Sequence, residues 1–206
     1  MSESAKARVG VVKAAGKGLL PAYAYALLLF PGVVAHELAH YLAVVAAGLA
    51  PRKVVWFSLA GDNYGELHFE YDRFKTSIWS LALVHFAPLL LSSFLALALF
   101  DSSYPLLSGP YRVAGAFLFY AACSIALSAV PSWVDYANFF VDAAAWPAKK
   151  LLSKSLLDKL VFALLFVPWL LLYVVSKFFY LAAKAAGGLP LGLLWATFLF
   201  VVSLRF

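Results

Sequence analysis

Residues 77–100 read SIWSLALVHFAPLLLSSFLALALF and carry no charged side chain from end to end. As an α-helix, such a run covers the roughly 30 Å hydrocarbon core of a bilayer with some tilt. Residues 113–130, VAGAFLFYAACSIALSAV, form a second uncharged run, which stops at Pro131. Two more follow, 160–176 (LVFALLFVPWLLLYVVS) and 185–204 (AAGGLPLGLLWATFLFVVSL), with a turn expected at Gly187–Gly188–Leu189–Pro190. Lys177 and Lys184 lie between these two, where long cationic side chains can snorkel to an interface. The rest of the composition agrees. Of the 206 residues, 65% are hydrophobic and only 13% charged, against about 25% charged in an ordinary globular chain. A domain this small could not hide so much apolar surface from water. Soluble enzyme, disordered chain and secreted disulfide scaffold are therefore excluded, and the single cysteine, Cys123, has no partner to pair with. The net charge of +6 points to anionic lipid headgroups rather than nucleic acid.

Residues 19–49, LLPAYAYALLLFPGVVAHELAHYLAVVAAGL, are long for one crossing and short for two. Pro31–Gly32 either kinks one helix or separates a re-entrant segment from a helix; one kinked crossing is the preferred reading. Residues 1–18 lack the apolar core of a signal peptide and read as a basic surface segment. Residues 52–72 read as a β-hairpin, because Leu67, Phe69 and Tyr71 alternate with Glu66, His68, Glu70 and Asp72, and turn residues 60–65 precede them. Residues 134–159 read as an interfacial helix followed by a basic loop. If 19–49 crosses once, the hairpin and lysine-loop side carries eight Lys/Arg against five opposite, which places the hairpin in the cytoplasm. The expected fold is an all-α integral membrane protein of one domain over 1–206. It is a polytopic bundle of about five transmembrane helices, the first kinked, with one small β-hairpin at the membrane surface.

The first apolar stretch contains His36-Glu37-Leu38-Ala39-His40, in a chain with only four histidines. On a helix, residues i and i+4 face the same way, so both imidazoles can reach one tetrahedral zinc ion. Glu37 lies beside that face, placed to take a proton from water acidified by the metal. A charged glutamate at a helix centre in lipid costs roughly 2.5–3.5 kcal/mol on insertion scales, so it is a functional candidate by default. A pair of interhelical hydrogen-bonding histidines with an incidental glutamate is the bland alternative.

Two histidines and a water leave one position for a further protein ligand. Asp135 is the favoured candidate, being an acid just past the helix break expected at Pro131. Its alternative role is to cap the following helix. Glu66, Glu70, Asp72 and His68 on the hairpin compete for the position, as does His85 within 77–100, which otherwise forms an interhelical hydrogen bond or lines the cavity.

On these residues the chain resembles the site-2 protease family of intramembrane zinc metalloproteases. His36–His40 matches the family's HExxH, and Ser128-Ala129-Val130-Pro131…Val134-Asp135 matches its N-x-x-P…L-D-G motif loosely. Ser128 stands where the family usually has Asn, and Tyr136 follows the Asp in place of Gly. Phe86-Ala87-Pro88 falls near the family's Gly-Pro position, and the likeness covers roughly residues 30–140. The resemblance implies one Zn2+ per chain held by His36, His40 and Asp135, with Glu37 as general base. It also implies a contribution of Ser128 to holding substrate or the developing oxyanion.

The function expected is that of a zinc metalloendopeptidase in the cell membrane, a multi-pass hydrolase cutting transmembrane segments of other membrane proteins. The expected partners are that substrate and the bilayer, with no nucleic acid. The hairpin offers an edge strand for an unwound substrate. Other readings are a membrane metalloprotease with Glu66 or Glu70 as third ligand, and a non-catalytic metal-binding scaffold. A transporter is disfavoured, since no internal repeat is evident.

Overall fold

The structure, a computed structural model, describes residues 8–13, 22–59, 64–72, 75–153, 155–186 and 189–205. The elements are β1 (Arg8–Lys13), α1 (Ala22–Ala46), β2 (Ala50–Val55), β3 (Glu66–Tyr71), α2 (Ile78–Ala87) and a π-helical turn (Pro88–Ser92). They continue as α3 (Ser93–Ser108), α4 (Arg112–Ser128), α5 (Trp133–Leu151), α6 (Leu156–Ala186) and α7 (Leu189–Ser203). Four helical runs are long and apolar enough to cross a membrane: Leu27–Ala46, Ile78–Ser108, Arg112–Leu151 and Leu156–Ala182. The fifth expected span is α7, at 15 residues a shorter apolar helix. Large apolar side chains face outward, among them Phe94, Val113 and Leu164, each more than 70% exposed. Such a surface suits lipid and not water. Residues 60–63 of the turn expected at 60–65, residues 187–188 of that expected at 187–190, and residues 1–7 and 14–18 lie outside the described residues.

The first apolar stretch forms one continuous helix with Pro31 inside it, so no re-entrant segment precedes the HExxH residues. Proline has no N–H to offer the carbonyl four residues earlier, which is that of Leu27. The Tyr120 hydroxyl of α4 donates to that carbonyl instead. One residue on, the Gly32 N–H donates to Ser124 Oγ at 3.0 Å. A Cβ at Gly32 would lie 2.5 Å from Ser128 Oγ and closer still to the Ser124 carbonyl, so only glycine allows α4 this near. Tyr120, Ser124 and Ser128 stand four residues apart on one face of α4. Together they fasten it alongside α1.

The hairpin differs from the expectation in one way. It belongs to a three-stranded antiparallel sheet in the order β1-β3-β2, with β1 drawn from the segment read as a basic surface stretch. Arg8 pairs across from Tyr71 and Lys13 across from Glu66, so β1 lies beside the hairpin. The Lys/Arg count that put these two segments on opposite sides therefore loses its basis. The hairpin follows closely on the end of α1. It folds back along it, with Trp56 against Tyr41 (5.6 Å between ring centroids) and Phe57 against Phe30 (4.9 Å). The cause is the alternation in β3: Leu67, Phe69 and Tyr71 need cover and find it on Ala39, Ala43, Val44, Leu81 and Val84. The small residues of α1 admit the sheet.

Pro131 ends α4 near Ser128, as expected, and α5 starts at Trp133. The segment read as an interfacial helix and basic loop is helical over Trp133–Leu151 and again from Leu156. Its residues Asp135, Tyr136, Phe139, Asp142, Ala143 and Trp146 are buried, against α2 and α6 among others. Those positions recur every three to four residues, so one face of the helix is covered by protein. Lys149 and Lys150 fall in its last turn, where the helix dipole favours cations, and Lys159 is already within α6.

Candidate metal centre

α1 supplies His36, Glu37 and His40, and α5 supplies Asp135; all four are 2% exposed or less. The one-turn spacing of the histidines turns both Nε2 atoms to the same point, 3.1 Å apart. Asp135 Oδ2 lies 3.7 Å from His36 Nε2, and Oδ1 lies 3.7 Å from His40 Nε2. Three ligands at about 2.0–2.1 Å on a tetrahedral ion stand about 3.3 Å from one another. The observed spacing brackets that value.

The hydrogen bonds behind the rings fix their tautomers. His36 Nδ1 is 2.6 Å from the Ser128 carbonyl oxygen, and His40 Nδ1 is 2.7 Å from that of Val84. A carbonyl only accepts, so each Nδ1 carries the proton and each Nε2 presents a lone pair. Two lone pairs and a carboxylate therefore converge in a buried space. Acceptor atoms packed this way repel unless a cation lies among them. The group can hold a metal ion: one donor atom from each of the three residues lies within 4.8 Å of the others, and no further group of this kind occurs among the described residues.

Asp135 is held in place by the helix it opens. Ser132 caps α5: its N–H and its hydroxyl both donate to Asp135 Oδ2 at 2.7 Å, and its Oγ accepts from the Asp135 N–H at 3.3 Å. This is a reciprocal capping box, so the capping role and the ligand role are compatible. Oδ1 has no hydrogen-bond partner among the described residues and remains for a metal.

Glu37 is fully buried, and the hairpin backbone comes against it: a Cβ on Gly65 would sit 2.6 Å from Glu37 Cγ. The competing ligands are elsewhere. Glu66 hydrogen-bonds His68 and faces Lys53, while Glu70 bonds Arg52 at 2.6 Å. Asp72 lies 3.8 Å from Lys75. His85 is buried between Phe69 and Phe139, with Nδ1 lacking a hydrogen-bond partner among the described residues. Ser128 meets the centre through its carbonyl oxygen on His36, and its hydroxyl lies against Gly32.

Sequence reading missed the groups that orient the ligands: Ser132, Val84 and the carbonyl of Ser128. Two of these had a signal. Ser132-Trp133-Val134-Asp135 is a capping-box pattern, and Pro88 stands four residues after Val84. No protein-family model matches the chain, and no curated protein or solved structure matches it either, so the centre stands on its own geometry.

Proposed function

We propose that the chain is a zinc endopeptidase embedded in the cell membrane, similar to the site-2 protease family, that cuts transmembrane segments of other membrane proteins. The observation that carries this reading is the convergence of His36, His40 and Asp135, with Glu37 next in sequence, inside helices apolar enough to cross a membrane. Two imidazoles and one carboxylate are a donor set suited to catalytic zinc, which keeps a position open. Zinc bound there supplies a Lewis acid for the peptide carbonyl and acidifies water toward a pKa of ~7.

The chain's own residues do the rest. His36, His40 and Asp135 would hold the ion. Glu37 takes the proton from water as its oxygen adds to the carbonyl carbon, and passes it to the nitrogen as the C–N bond breaks. Burial excludes competing water and strengthens these interactions. A helical substrate has to unwind first, because its carbonyls are committed to hydrogen bonds. The outer edge of β2 has no paired strand among the described residues and can receive an unwound segment by strand addition. Pro51, the register shift between Pro51 and Lys53, and the charges of Arg52 and Lys53 blunt its beginning, so pairing is confined to the Val54–Val55 end.

Complete burial of Glu37 under Gly65 favours a second reading, a metal-binding scaffold without activity. One experiment separates them: zinc analysis of the purified chain, with cleavage of a model transmembrane substrate by wild type and Glu37→Gln. Zinc in both with cleavage only by wild type supports the protease. Zinc without cleavage in either supports the scaffold.

A further inference from the structure

His40 donates its Nδ1 proton to the carbonyl oxygen of Val84 at 2.7 Å. Val84 lies within α2, where a carbonyl ordinarily accepts from the N–H four residues later. That residue is Pro88, which has no N–H. The backbone at Pro88 is nonetheless helical (φ −59°, ψ −40°), and the chain continues through a π-helical turn into α3. The proline therefore does not end the run. It leaves one carbonyl without its helical donor, at the level of the metal centre and facing α1.

We infer that Pro88 is a positioning residue for the metal centre: by withholding an N–H from Val84 it leaves that carbonyl for His40, which fixes the tautomer and ring plane His40 needs to ligate. This rests on the metal-binding part of the proposed function and not on peptide cleavage. A donor at position 88 would compete for the Val84 oxygen. His40 then loses the acceptor that holds its proton on Nδ1, and a proton moved to Nε2 removes the lone pair that faces Asp135 and His36. Outer partners of this kind commonly change metal affinity 10–100-fold. The same arrangement recurs at the other histidine. Ser128 O, which accepts from His36, sits where Pro131 stops α4 and no following turn claims it.

The effect has an unusual sign, because replacing a helix-interior proline by alanine ordinarily strengthens a helix. The test compares Pro88→Ala with Pro105→Ala, a second helix-interior proline, exposed in α3. The purified full chain is examined in detergent by thermal melting, by zinc competition against a chelator, and by the visible spectrum of its cobalt-substituted form. Both variants are expected to melt at or above the wild-type temperature. Only Pro88→Ala is expected to lose zinc affinity, tenfold or more, and to shift the cobalt spectrum. Pro88→Gly restores the N–H without a side chain and should lose zinc affinity and shift the spectrum in the same way. Wild-type zinc affinity and cobalt spectrum in Pro88→Ala would overturn the inference, as would zinc loss that merely follows a fall in melting temperature. A wild-type chain that binds cobalt but cuts nothing removes the protease reading, while the variant spectra still decide the role of Pro88.

Discussion

Asp135 Oδ2 accepts two hydrogen bonds from Ser132, from its N–H and its hydroxyl, each at 2.7 Å, while Oδ1 of the same carboxylate stands 3.7 Å from His40 Nε2. One side chain thus closes a helix N-terminus through Oδ2 while both of its oxygens stand 3.7 Å from an imidazole Nε2 of the metal centre. Removing the cap should cost the centre its rigidity as well as the helix its start. Ser132→Ala is expected to destabilise the fold by about 1 kcal/mol and to weaken zinc binding about 10–100-fold. Thermal melting and chelator competition measure the two effects separately, and zinc affinity unchanged beside a lowered melting temperature would deny the cap any part in ligation.

Glu37→Gln keeps the shape of the side chain and removes its basicity. Zinc content should stay at wild-type level while cleavage of a transmembrane substrate falls by about 10²–10⁴. A glutamine variant that cuts at the wild-type rate would reject Glu37 as the base.

Asp135→Ala should release most of the zinc, and Glu70→Ala very little, because Glu70 is bonded to Arg52 on the sheet and is not part of the three-residue donor group. The expected gap in affinity exceeds about a hundredfold, the upper end of what the loss of an outer partner costs. Metal analysis after dialysis reads it directly. The opposite ranking would assign the third ligand to the hairpin.

Tyr120→Phe takes away the hydroxyl that serves the Leu27 carbonyl opposite Pro31. The bond is exposed, so its loss should cost no more than the net worth of an ordinary hydrogen bond, about 0.5–1.5 kcal/mol, and the melting temperature should fall slightly although the aromatic ring is kept. Gly32→Ala should be harsher, since its methyl would enter the space of the Ser124 carbonyl and Ser128 Oγ. Crowding of this type costs typically about 1–3 kcal/mol, and it also pulls the Ser128 carbonyl away from His36. Melting curves for both, with zinc affinity for the glycine variant, check these outcomes.

Local features were legible without the fold. Apolar run lengths gave the long helices, one-turn spacing gave the paired imidazoles, and alternation gave the buried face of β3. Pro131 gave the break from which Asp135 emerges. Each depends on neighbours within about a turn or a strand, where spacing alone settles which side chains share a face. In α5 the same local logic stops short, because an amphipathic pattern says that one face is covered and not by what.

Contacts between distant segments belonged to the tertiary structure alone. Strand β1 joins β3 across the whole of α1, and no local pattern in Arg8–Lys13 announces its partner. The approach of Asp135 to His36 and His40 depends on how closely α4 packs on α1 at Gly32 and how sharply the chain turns at Pro131. Sequence spacing fixes directions around one helix axis; it carries no distance between two axes, which side-chain volumes at the crossing decide. The carbonyls of Val84 and Ser128 make the same point, for a proline shows which acceptor it leaves unserved, and only the packed neighbour shows which proton that acceptor receives.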